Sequence, residues 1–425
     1  MRWKGLTTRS TIWTVPSLYA TASIAAGLVL PRLEQRWLPD VGSPISVSSA
    51  TAIYSSVAGG TMALTAIVFS LTFLMVQFSA TAYSPRLVLW LARDPLIAHA
   101  LGVFSATFLY AIAALAWVDR DGSQLVPALS AWTLVALLVV SVAMFIALTQ
   151  RIALLQINRM LAFTGDQGRR VIASMYPRDH GAETPAAPDG PPAAPPTQVV
   201  LHAGRPLAVQ AIDVAALASL AAGANGVIDV TVAVGDTVME STPILRVLGG
   251  RSHADEASLN RAIVRGEERT FDQDPKYAIR LLVDIAIRAL SPAINDPTTA
   301  VQALDQIGDL LLRLGRRRLE VGVFRDDSDV VRVTVPMPTW EDFLQLAFDE
   351  ICTCGAASVQ VMRRMKALIG DLVGLLPDQR RPALNAWHDR LERTVAKHFD
   401  DPIEQAAAST EDRQGLGVSR TRPAA

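Results

Sequence analysis

Residues 270–300 read TFDQDPKYAIRLLVDIAIRALSPAINDPTTA, the densest set of groups in the chain that could do chemistry. Arg280, Asp284 and Arg288 recur every four residues, a spacing that puts them on one helix face. The simplest product is an Arg–Asp–Arg salt-bridge ladder. Ser291-Pro292 then ends that helix. Asn295-Asp296-Pro297 opens the next, with Asp296 at the cap and Pro297 in the first turn. A functional version would use Arg288, Asn295 and the second helix's N-terminus to hold an anion. Each polar residue already has a local role, so the cluster Arg280, Asp284, Arg288, Asn295 and Asp296 reads as a structural hub first and an anion site second. No Gly-rich phosphate loop, metal triad or nucleophile elbow is visible, so no catalytic, cofactor or metal residue is assigned and an enzyme is not expected. Cys352 and Cys354, two residues apart, do not share a helix face and read as packing thiols.

The elements that must carry this cluster begin in a bilayer. Residues 55–80 form a run of 26 without a charge, longer than the roughly 20 needed to cross a membrane as a helix. At 100° per residue, Ser55, Gly59, Ala63, Ala66, Ser70 and Gln77 fall in one stripe, and Val57, Leu64, Val68, Leu71 and Met75 fall opposite. A small or polar face lets helices approach closely and can also line a polar pathway. The six stripe residues are therefore the candidate pore or packing face. Spans are expected at about 12–30, 53–80, 96–118 and 126–148, making residues 1–150 a four-helix transmembrane domain. Arg2, Lys4 and Arg9 precede the first span, Arg86 and Arg93 lie between the second and third, and Arg151, Arg159, Arg169 and Arg170 follow the fourth. That bias places both termini in the cytoplasm and the Asp119-Arg120-Asp121 hairpin outside. Residues 79–95 fit either a short helix lying in the inner interface or a tight, buried helical turn between spans.

Beyond the spans, residues 151–176 read as a helical extension. Residues 177–198, rich in Pro and Ala, read as an extended linker. Residues 199–250 alternate like short strands, with a helix at 213–222 capped by Asp213. Within them VAVGDTVMESTPILRV resembles the hammerhead turn of biotinyl/lipoyl-like barrel-sandwich domains. The four lysines stand at 4, 276, 366 and 397, so no acceptor for biotin or lipoate lies there and a contact module remains. Residues 251–408 read as mostly helical, with helices at 255–269, 276–290, 298–318, 340–354, 358–376 and 382–399 and a β-hairpin near 319–336. Residues 409–425 read as a disordered tail. The whole is a multi-domain α+β membrane protein: a transmembrane bundle, a barrel-sandwich-like module and an α-helical cytoplasmic domain. A net charge of −1 gives no electrostatic case for nucleic acid.

Four N-terminal spans, QFSATAYSPRL after the second, and QDPKYAIRLLVDIAIRALSPAINDPTTAVQ resemble a family of bacterial predicted membrane proteins, domain of unknown function family 2254. The likeness covers about residues 13–399, with SPAINDPTTA its most specific part. It implies an inner-membrane location and carries over no activity, ligand or catalytic residue. Without ionisable groups deep in the spans, coupled pumping is disfavoured. The expectation is a channel-like or passive transport protein, a homo-oligomer in the lipid bilayer with a cytoplasmic regulatory region. The alternative is a membrane-anchored scaffold or ligand sensor.

Overall fold

Long apolar runs at the start of the chain become helices, because a helix satisfies its own backbone where water is absent. The computed structural model describes residues 11–37, 45–82, 95–118, 126–153, 157–177 and 194–417. It divides into two compact units, Met1–Gln156 and Ile157–Ala425.

The first unit holds α1 (Thr11–Trp37), α2 (Val47–Ala82), α3 (Pro95–Leu115) and α4 (Ala128–Ala153). Each contains a window long and apolar enough to cross a membrane: Thr14–Glu34, Val47–Leu74, Leu96–Leu115 and Ala128–Gln150. Helix α3 is the most enclosed and packs against the other three. Its approach to α1 is closest at glycines. A Cβ on Gly27 would lie 2.8 Å from Cβ of Ala113, and one on Gly102 would lie 3.1 Å from the Tyr19 ring. Hydroxyls tie the bundle together, with Thr107 and Ser141 at 2.9 Å and Tyr110 and Ser130 at 3.1 Å. Helix α1 runs through Pro31 and carries a buried acid, Glu34, near its end. Glu34 lies beyond the span expected at about 12–30, at the end of the apolar window Thr14–Glu34. The proposed interfacial helix at 79–95 falls mostly on residues 83–94, outside the described residues.

The second unit begins with α5 (Ile157–Met175). This expected extension is part of the helical core, since a Cβ on its Gly168 would meet Leu310 at 2.8 Å and Ala278 at 3.0 Å. Strands β1 (Pro196–Leu201), β2 (Leu207–Ile212), β3 (Val227–Val230), β4 (Thr237–Val238) and β5 (Pro243–Leu248) follow, with α6 (Val214–Ala224) between β2 and β3. Asp213 caps α6 through the N–H of Ala216. The expected helix at 255–269 is short: α7 spans Glu256–Ala262, then β6 (Ile263–Gly266) pairs with β2. Ile263 and Val264 suit a pleated ladder better than a helix turn. The hairpin β7 (Val323–Arg325) and β8 (Val331–Thr334) joins the β-rich region: β8 runs parallel to β3, completing the sheet β1-β5-β3-β8-β7 beside the sheet β4-β2-β6. The module is therefore not the contiguous segment 199–250. Its core gathers Val200, Leu217, Ile228, Leu245, Val247 and Val333.

Helices α8 (Pro275–Ala289), α9 (Pro297–Gly315), α10 (Trp340–Cys354), α11 (Val359–Leu375), α12 (Arg381–His398) and α13 (Pro402–Ala408) make up the rest. Their apolar faces bury Ile279, Leu282, Leu304, Ile307, Phe343 and Ile369. The chain expected to be disordered from residue 409 is ordered through Gly417. Buried Asp412 accepts the N–H groups of Gln414, Gly415 and Gly417, and Arg363 donates to the Gly417 carbonyl at 3.0 Å. A polar segment thus docks through hydrogen bonds rather than apolar burial.

Candidate functional site

The α2 stripe points away from its own chain. Ser55, Gly59, Ala63, Ala66, Ser70 and Gln77 are all exposed, and nothing lies within 4 Å of a Cβ built on Gly59. Helix α2 buries Tyr54, Ala58, Thr61 and Val68 instead. Close packing inside the unit thus falls to Gly27 and Gly102, while Ser55, Gly59, Ala63, Ala66 and Ser70 of α2 stay exposed among the described residues.

At the start of α8 and α9, each first turn is capped by an aspartate followed by proline. Asp274 accepts the N–H of Tyr277 at 3.0 Å, and Asp296 accepts that of Thr299 at 3.1 Å and its hydroxyl at 2.6 Å. The Asp296 carboxylate thus occupies the helix start that an anion would have used. Asn295 adopts a left-handed φ of 48° and is exposed. Asp296 N–H closes the corner on the carbonyl of Ala289 at 2.8 Å.

Along α8, Arg280 bonds Asp284 at 2.6 Å, as the spacing implies. Its other nitrogens grip both carboxylate oxygens of Glu350 on α10, one of them at 2.9 Å. Spacing within α8 could not reveal Glu350, whose approach depends on how two helices pack 70 residues apart. Hydrogen bonds donated to Glu350 raise the Arg280 guanidinium above its ordinary range, against the opposing effect of burial. Reciprocally, Arg280 holds the Glu350 carboxyl below its ordinary range. Arg288, one turn on, is half-buried.

The β-rich region meets α8 at another pair. Arg269 donates to the buried Asp274 at 2.8 Å, and the turn at Gly235 lies against both. Burial pushes the Asp274 carboxyl up, and Arg269 opposes that shift. An open groove of about 470 Å³ is lined by Arg269, Lys276 and Arg280 against Asp342, Asp349 and Glu350. Its opposite charges balance. Cys352 is buried and Cys354 exposed, and neither forms a disulfide. Among the described residues no group of three or more His, Cys, Asp or Glu could hold a metal ion.

Four helices of bilayer length joined to an α+β unit define a predicted multi-helix membrane protein. The chain belongs to the family described as Predicted membrane protein (DUF2254), whose model matches residues 9–371. Uncharacterised proteins of Mycobacterium tuberculosis strain H37Rv and Mycobacterium bovis are each 27% identical over 413 residues, covering 93% of this chain and 78% of theirs. No solved structure matches.

Proposed function

We propose that the protein is a homo-oligomer in the bacterial inner membrane that provides a channel-like, passive pathway, with Ile157–Ala425 as its cytoplasmic regulatory region. The supporting observation is that Ser55, Gly59, Ala63, Ala66 and Ser70 of the small and polar α2 stripe are exposed among the described residues, while close helix packing is supplied elsewhere. Four spans leave little room for a pathway within one copy, so several copies would bring these faces together. The arginine bias of the loops supports cytoplasmic termini. Likeness to barrel-sandwich domains supports a contact role for the β-rich module. This reading assigns no catalysis, cofactor or nucleic-acid partner.

Single cysteines at Gly59 and Ala66 should cross-link between copies in membranes, and vesicles holding the protein should pass small solutes that empty vesicles retain. Monomers without cross-links, in vesicles as tight as controls, would refute it. A second reading, a membrane-anchored ligand sensor or scaffold, draws on the charged groove beside Arg280 and Glu350. It predicts oligomers or partner complexes with no solute flux.

A further inference from the structure

A second cleft lies between the C-terminal end of α10 and the outer face of α12. Its volume is about 390 Å³. Arg390, Arg393, Lys397 and His398 line it, joined by the hydroxyls of Thr353 and Thr394. None of its lining residues is acidic. It therefore differs in kind from the balanced groove at Arg280.

Arg390, Arg393 and Lys397 follow one another at spacings of three and four, so α12 stacks like charges on a single face. Such stacking opposes folding unless a counter-charge arrives. Three nearby carboxylates are engaged: Asp349 pairs with Arg390, Glu350 with Arg280, and Glu392 with Lys366. Arg393 and Lys397 form no ion pair among the described residues. The partial negative charge at the end of α12 accounts for Lys397 and His398 in its last turn. Arg390, further back, is matched by Asp349, and Arg393 is left without a counter-charge among the described residues.

We propose that this cleft binds a phosphate-bearing anion. Guanidinium forks match the oxygens of phosphate, and charges of one sign in a concave wall focus the field on an anion. The cleft has room for a diphosphate or a phosphate carrying an organic group. A soluble metabolite and a lipid headgroup share this chemistry. The site does not depend on the α2 face.

The test is calorimetric titration of inorganic pyrophosphate into the full chain in phosphatidylcholine nanodiscs. Binding tighter than about 1 mM is expected. The Arg393→Gln/Lys397→Gln variant should bind at least about tenfold more weakly. Both changed residues are exposed and repel each other, so the melting temperature should hold or rise slightly. Lys276→Gln, in the balanced groove, should leave affinity unchanged. No binding up to about 10 mM, or equal affinity in the double variant, would overturn the proposal. Repeating the titration in nanodiscs containing phosphatidylglycerol separates the sources. Weaker pyrophosphate binding there supports headgroups in the cleft; unchanged binding supports a soluble phosphate compound.

Discussion

Leu129 donates its backbone N–H to the carboxylate of Glu34 at 2.8 Å, joining the end of α1 to the start of α4. Ser130 adds a second N–H at 3.2 Å. A helix start leaves N–H groups unsatisfied, and in an apolar unit water cannot supply the missing acceptors. Glu34, 4% exposed, therefore serves α4 as a cap supplied from another helix. Glu34→Ala should cost about 1–2 kcal/mol. Glu34→Gln, which keeps one carbonyl acceptor, should cost less. Unfolding by denaturing detergent from mixed micelles checks the order.

Substitutions on α2 should be asymmetric in membranes. Gly59→Leu and Ala66→Leu add bulk to the face left uncovered and should reduce oligomer more than Leu64→Ala does. A Cβ at Gly59 meets nothing within 4 Å, so monomer stability should change little there. Size-exclusion chromatography with light scattering separates assembly from folding, and equal effects on both faces would show that the stripe is incidental.

Topology follows from charge. A cysteine at Gly122 should react with an impermeant thiol reagent added to intact cells, and one at Gly190 should not. The reverse pattern would invert the orientation.

Two glycines should respond with opposite sign. Gly235 has a φ of 93°, and a Cβ there would lie 2.7 Å from the Asp274 carboxylate, so Gly235→Ala should cost about 1–3 kcal/mol. Gly223 lies in α6 with nothing within 4 Å of an added Cβ. Gly223→Ala should therefore stabilise by about 0.5–1 kcal/mol. Thermal melts of the full chain in detergent provide the check.

Acid should loosen the grip of Arg280. The Glu350 carboxyl is held below its ordinary range, so its contribution is complete above the usual glutamate value of about 4.3 and disappears as pH falls through the lower folded value. Glu350 is half-exposed, which keeps the gain within about 1 kcal/mol. Glu350→Gln should lower the melting temperature slightly at neutral pH and flatten the decline on acidification. Asp284→Ala should cost about 1–3 kcal/mol rather than more, because Arg280 keeps Glu350.

Local chemistry was legible. Asp213 and Asp296 announce helix starts, and each caps its helix as its spacing implies. Contacts between distant segments were not. Periodicity shows which residues of α2 share a face, but it cannot show which face meets α3. Glu350 reaches Arg280, and Ile263 pairs with Ile212, only after helices and strands pack. The docking of Asp412 escaped notice for another reason: a polar, Gly-containing segment looks the same whether its hydrogen bonds go to water or to Arg363 and its neighbours.

The pairing of β3 with β8 has a consequence for synthesis. Asp229 and Thr334, joined by a side-chain hydrogen bond at 2.6 Å, are 105 residues apart. While the ribosome makes the intervening chain, β3 has β5 on one side and an open ladder on the other. An unpaired strand edge invites pairing with another nascent chain. The helices α8 and α9 emerge in that interval, so their rapid local folding shortens the distance β8 must search. A ribosome stalled before residue 331 should therefore hold an aggregation-prone sheet, and one stalled after release of residue 334 should hold a protease-resistant one.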